Sequence, residues 1–118
     1  MNLRIAGISL DCADPQSLAD FYARLLDGQL AWSNQGSAGV RLSGEAVLVF
    51  QRVADFTPPA WPGSSIVHLD LAGDGQLDDL EARALAAGAR LADVQFDSRW
   101  RIFLDPAGHP FCITTITP

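Results

Sequence analysis

Apolar and polar residues alternate along the first stretch of the chain, Leu3–Cys12. Ile8, Leu10 and Cys12 fall on one side and Gly7, Ser9 and Asp11 on the other, the period-two pattern of a half-buried strand. The period then changes. Leu18, Phe21, Tyr22, Leu25 and Leu26 recur at helical spacing after Asp14-Pro15, which predicts a helix capped by Asp14, with Pro15 in its first turn, where a missing N–H costs nothing. Asp27-Gly28 ends it, and strands are expected over Gln29–Asn34, Val40–Ser43 and Ala46–Val53, divided by Gly36, Gly39 and Gly44-Glu45.

The same order then returns. Ser65–Ala72 alternates, with Val67, Leu69 and Leu71 opposed by Ile66, His68 and Asp70. A helix opening at Asp74 or Gly75 carries Leu77, Leu80, Ala84 and Ala87 and ends at Gly88. Strands follow over Arg90–Phe96, Trp100–Leu104 and Pro110–Thr117, the last two joined by Asp105-Pro106-Ala107-Gly108, which suits a type I turn. At a constant offset of 59, eight pairs are identical: Leu10/Leu69, Asp11/Asp70, Ala13/Ala72, Leu18/Leu77, Asp20/Asp79, Ala23/Ala82, Arg24/Arg83 and Leu26/Leu85. That repetition predicts a duplication. The expected fold is α+β, a single domain over 1–118 built of two tandem β-α-β-β-β modules, 3–53 and 65–117, whose curved mixed sheets surround a cavity. The connection, 54–64, holds Pro58, Pro59 and Pro62 with Phe56 and Trp61 as apolar anchors, and reads as a stiff strap.

Composition narrows the function. The 118 residues include twelve Asp, two Glu, eight Arg and no Lys, for a net charge of −6. An acidic domain without a basic cluster is repelled by phosphate backbones, so no nucleic-acid partner is expected. Without lysine there is neither a Schiff base to pyridoxal nor a Walker-type phosphate loop. No apolar run approaches membrane-spanning length, and Met1-Asn2-Leu3-Arg4 lacks the features of a secretory leader, so no membrane association and a cytoplasmic location are expected. Cys12 and Cys112 fall on opposite faces of their strands by parity, which argues against a disulfide.

Six stretches resemble the vicinal oxygen chelate superfamily, and most closely its glyoxalase-like domain branch. They are Leu10-Asp11-Cys12-Ala13-Asp14-Pro15, Phe21-Tyr22-x-x-Leu25-Leu26, Phe50-Gln51-Arg52-Val53, Pro58-Pro59-x-Trp61-Pro62, His68-Leu69-Asp70-Leu71 and Asp105-Pro106-Ala107-Gly108-His109-Pro110-Phe111-Cys112. The superfamily includes glyoxalase I, extradiol dioxygenases, fosfomycin-resistance enzymes and bleomycin-binding proteins. The resemblance implies a site for a divalent metal on the first and last strands of each module, and it places Gly7 (or Ser9, two residues on along the same face), Val49, His68 and Cys112 at the four ligand positions. Only His68 is an ordinary ligand there, and Cys112 beside it makes two donors at most, so neither a metal nor another cofactor is expected. The resemblance, with the open sheet edges, also implies a homodimer, which a monomeric species in sedimentation would exclude.

The residues themselves point to the polar face of each sheet. His68 and Asp70 lie on one side of a strand, about 7 Å apart if the pleat is regular, and are the candidate acid–base pair. Ser9, Asp11, Gln51, Trp61, Trp100 and Cys112 are the candidate ligand-binding residues. Each also has a structural reading: a hydrogen-bonded core histidine, aromatic residues in the core, or Asp11 and Asp70 paired with an arginine such as Arg101. His109 is assigned to the turn backbone. The function expected is binding of a small organic molecule without the usual catalytic metal. The alternatives are a metal-free lyase or isomerase using His68 and Asp70, and then a divalent-metal glyoxalase or dioxygenase.

Overall fold

Asp14 and Pro15 start the first helix as their chemistry requires. The computed structural model describes residues 2, 4–44, 46–63 and 67–115. Helix α1 spans Pro15–Leu26, and the Asp14 carboxylate accepts from the Ser17 N–H at 3.3 Å and the Ser17 hydroxyl at 2.7 Å. Those bonds hold the Asp14 carboxyl below the usual carboxylate range. Asp14→Ala should cost about 1 kcal/mol, the usual value of such a cap, read as a shift in the urea midpoint. Asp14→Asn should recover most of it, and no loss in either variant would remove the cap from the account.

The chain divides into two units, 1–57 and 58–118. The first contains β1 (Gly7–Cys12), α1, β2 (Gln29–Ser33), β3 (Ser37–Arg41) and β4 (Val47–Arg52), in the sheet order β1-β4-β3-β2. β1 runs parallel to β4 and the other pairs are antiparallel. α1 lies against β2, β3 and β4. Its apolar stripe, Leu18, Phe21, Tyr22 and Leu25, is buried, as are Ala38, Val40, Leu48 and Phe50 of the sheet. Tyr22 stacks on Phe50 with centroids 5.4 Å apart and 8° between the planes. The other sheet face bears Gly39, over which the Trp32 indole lies so closely that a Cβ on Gly39 would sit 2.2 Å from the ring. A bulge between Leu30 and Trp32 sets that pairing, and the indole N–H donates to the Ser37 hydroxyl at 2.9 Å.

The second unit has the same plan: β5 (Leu69–Ala72), α2 (Leu77–Ala87), β6 (Arg90–Leu91), β7 (Trp100–Leu104) and β8 (Pro110–Thr114), in the order β5-β8-β7-β6, with β5 parallel to β8. Phe103 and Phe111 are fully buried and stacked, with centroids 5.5 Å apart. Arg101 projects to the helix side, where it pairs with Asp78 at 2.8 Å and Glu81 at 3.2 Å of α2. Two four-stranded mixed sheets, each carrying one helix, confirm the α+β architecture, and neither sheet closes into a barrel. Among the described residues no helix is long and apolar enough to cross a membrane.

Several expected boundaries move. Helix α2 is capped by Gln76, not by Asp74 or Gly75, because Gly75 has φ +91° and belongs to a turn. β6 stops at Leu91 instead of Phe96: the Gln95 amide takes up the main chain of Ile102, donating to its carbonyl and accepting its N–H, both at 2.9 Å. β1 starts at Gly7 and β5 at Leu69. Leu3, Ser65, Ile66, Ile116 and Thr117, which the sequence placed in strands, lie outside the described residues. The expected strap is divided between the units, with 54–57 in the first and 58–63 in the second.

Candidate functional site

Strand register decides which candidates meet. In the first unit Ser9 pairs with Val49, and Asp11 with Gln51, on the face opposite α1, with Ser37 on the other side of Gln51. Ser9, Asp11 and Gln51 therefore share one sheet face, as expected. In the second unit Asp70 pairs with Cys112, and Cys112 with Ile102. His68 stands just before β5, outside the regular pleat, and its Nε2 comes within 3.2 Å of Asp70 Oδ1. Residues spaced about 7 Å along a strand thus bring their side-chain tips into contact.

Cys112 is 7% exposed and packs with Ala92 and Ile102, against which Trp61, Trp100 and Leu104 also rest. Burial first, and the Asp70 carboxylate second, push the Cys112 thiol up to about 11. Neither cysteine is in a disulfide. The Trp61 ring lies 6.1 Å from His68 and 6.4 Å from Phe96, roughly edge-on to both. Its indole N–H is buried and, among the described residues, has no acceptor. The structure so brings together four of the named residues, His68, Asp70, Cys112 and Trp61. Trp100 joins the same apolar patch while its other contact is cation–π, with the Arg99 guanidinium 5.1 Å from the ring centre. Arg101 is engaged by α2 rather than by Asp70.

One residue escaped the sequence reading, and another was named there only as part of a turn. Trp32 was not singled out, although a glycine in mid-strand, Gly39, signals something lying close to the backbone. Asp105 is buried at 2% exposure, and its Oδ1 accepts the N–H groups of Ala107 at 2.8 Å and His109 at 3.0 Å. The turn is thus held by Asp105, with His109 supplying a backbone donor. A groove of about 240 Å³ lies beside Glu81, Gln95, Asp97, Trp100 and Arg101. Its charges are already spent: Arg101 on α2, and Asp97 on Arg99, which holds the Asp97 carboxyl at about 2.

The ligand positions implied by the family resemblance can be tested against register. Asp11 pairs with Gln51 as Asp70 pairs with Cys112, so Ser9 and Gln51 are the first unit's counterparts of His68 and Cys112. Gly7 and Val49, the positions expected from sequence, are displaced from them by two residues. Either assignment gives the first unit no imidazole or carboxylate at those positions. A hard ion that requires carboxylate oxygens from both modules is not served by this donor set.

Residues 7–114 match the family described as the glyoxalase-like domain. No curated protein matches the chain. Among solved structures, a possible glyoxalase from Bacillus cereus aligns with a TM-score of 0.73 at 13% identity, covering 96% of this chain and 99% of that one. A fosfomycin resistance protein from Listeria monocytogenes, bound to Mn(II) and dihydroxypropylphosphonic acid, aligns at 0.74 and 15%, covering 99% and 93%. A glyoxalase/bleomycin resistance protein/dioxygenase family enzyme from Burkholderia phytofirmans aligns at 0.74 and 19%, covering 94% and 97%. At these identities the likeness is one of fold.

Proposed function

The chain belongs to the glyoxalase-like domain family, and from that premise we propose that it binds a small organic molecule on the open face of its second sheet. The observation that carries this reading is the Trp61 indole N–H, buried without an acceptor among the described residues and next to the His68–Asp70 pair. A buried donor left unpaired costs about 1–3 kcal/mol. A ligand oxygen placed under the strap satisfies it, and Phe96 and Trp61 offer aromatic surface for the rest of the molecule.

The ligand test is a melting-temperature and tryptophan-fluorescence screen of small carboxylates, amides and phosphonates, with a chelator present. At least one class should raise the melting temperature. His68→Ala and Trp61→Phe should each weaken that binding about tenfold, the equivalent of one hydrogen bond. Binding that survives both substitutions, or a screen that never moves the melting temperature, counts against this site.

A second reading, acid–base catalysis as a lyase or isomerase, is favoured by the 3.2 Å approach of His68 to Asp70. With Nε2–H donating to the Asp70 carboxylate, the neutral tautomer of the imidazole holds its lone pair on Nδ1. Nδ1 is then the atom that takes a proton from a substrate carbon, and Asp70 fixes the tautomer. Turnover that falls with His68→Ala and with Asp70→Asn separates catalysis from binding.

A further inference from the structure

The open face of the first sheet carries an aromatic ring that is held in place by the sheet itself. Trp32 pairs with Gly39, and its six-membered ring takes the space of the missing side chain: a Cβ there would lie 2.2 Å from Cζ3 and 2.3 Å from Cη2. The indole N–H is fixed at the other end by the Ser37 hydroxyl at 2.9 Å. Ser37 and Gly39 are alternate residues of β3, so the indole lies lengthwise along that strand with its benzo edge leading toward Arg41. Arg41 is exposed and is the next residue on the same face, about 6.8 Å beyond Gly39. Among the described residues the Arg41 side chain has no hydrogen bond or ion pair, and no other ring or guanidinium stacks on Trp32, which is 37% exposed. Packing over Gly39 accounts for the inner face of the ring. It leaves the outer face, with a guanidinium beside it, unused.

We propose that Trp32 and Arg41 form a binding site for a small aromatic carboxylate, contained entirely in the first unit and sharing no residue with the site beside Trp61. The indole supplies a stacking surface whose orientation costs nothing on binding, because Gly39 and Ser37 already fix it. The guanidinium supplies two parallel N–H donors that match a carboxylate. Spacing argues the class. Guanidinium–carboxylate bonds are about 2.8 Å long, so a carboxylate joined to a ring directly, or through one carbon, covers the remainder of a step of about 6.8 Å. A ligand on the outer face of the indole stands one ring thickness above it, and the long arginine stem lifts its charged end to that level. Gln51, paired with Ser37, offers a donor and an acceptor in the next row for substituents on the ring. The net charge of −6 repels anions at a distance, so Arg41 acts by contact rather than by steering. An inorganic anion would engage Arg41 alone and an uncharged aromatic Trp32 alone. Their juxtaposition selects a ligand that has both parts.

The test is a titration of the isotope-labelled chain with benzoate, followed by nuclear magnetic resonance at the indole N–H signals of the three tryptophans. The Trp32 signal is assigned by its loss in Trp32→Phe. Two matched probes separate the parts of the ligand: benzamide keeps the ring without the charge, and cyclohexanecarboxylate keeps the charge without the aromatic face. Benzoate should shift the Trp32 signal saturably, and each matched probe should bind at least about tenfold more weakly. Arg41→Gln should weaken benzoate binding by about tenfold or more, because the charge-assisted pair is lost, and Arg41→Lys should fall between it and wild type. Gly39→Ala leaves both binding groups in the chain but pushes the ring off the strand, and should weaken benzoate as well. Arg41 is exposed, so Arg41→Gln retains the fold, which circular dichroism checks for every variant. No saturable shift at Trp32, a matched probe that binds as tightly as benzoate, or undiminished binding in Arg41→Gln or Gly39→Ala would overturn the proposal.

Discussion

Replacing Phe111 with alanine should remove about 3–5 kcal/mol of stability, the usual cost of deleting a buried aromatic ring. Phe111 has no exposed surface, lies in register between Leu69 and Phe103, and stacks on the latter at 19° between planes. Deletion takes away the ring's transfer free energy and leaves a cavity between sheet and helix that small Ala84 and Ala87 cannot fill. Domains are stable by only about 5–15 kcal/mol, so the urea midpoint should fall by about a fifth or more. Phe96→Ala removes the same atoms from a side chain that is 63% exposed and should cost less than about 1 kcal/mol. Equal losses for the two variants would refute this placement of the core.

Asp105→Ala should cost about 3 kcal/mol or more, although only one carboxylate is lost. The β7–β8 turn closes by Asp105 N–H to the His109 carbonyl at 2.9 Å and Gly108 N–H to the Asp105 carbonyl at 2.8 Å. The side chain adds the two bonds from Ala107 and His109, and a hydrogen bond to a charged group contributes about 1.5–3 kcal/mol. Alanine leaves both donors unmet. Asparagine retains one oxygen and should recover about half of the loss. Gly108 is fixed for two further reasons: its φ is +91°, and a Cβ there would meet the Pro58 ring at 2.8 Å. An Asp105→Ala variant with an unchanged urea midpoint would show that the turn is held by its backbone alone.

Local chemistry was legible in the sequence and long-range register was not. Helix α1 could be placed because Asp14, Pro15 and the stripe from Leu18 to Leu25 are all signals within a few residues. The start of α2 was misplaced because Gly75 resembles a cap in sequence, while its positive φ commits it to a turn. The counterpart of His68 was left between Gly7 and Ser9, and that of Cys112 was set two residues early at Val49, since a shift of two leaves the in–out alternation of a strand unchanged. Only pairing between β1 and β4 distinguishes them. Parity put His68 and Asp70 on one side, while the 3.2 Å contact between their tips depends on side-chain rotamers that no pattern of residues reveals. That Cys112 would share a face with both was implicit in parity, but its place beside Asp70 came from the ladder.

The Gln95 side chain has a consequence beyond its own loop. A sheet edge normally offers a row of unmet donors and acceptors, and such rows template pairing between molecules. Past Leu91, where β6 ends, the Ala92 N–H still donates to the Ile102 carbonyl at 3.0 Å, and the Gln95 amide adds a second donor there and accepts the Ile102 N–H, which would otherwise stand open at the edge. A single side chain does there what a further strand would do, at the cost of no additional backbone order. The segment from 93 to 99 is thereby released from strand pairing, and its sequence can drift toward new surface chemistry without turning the edge of β7 into a seed for aggregation.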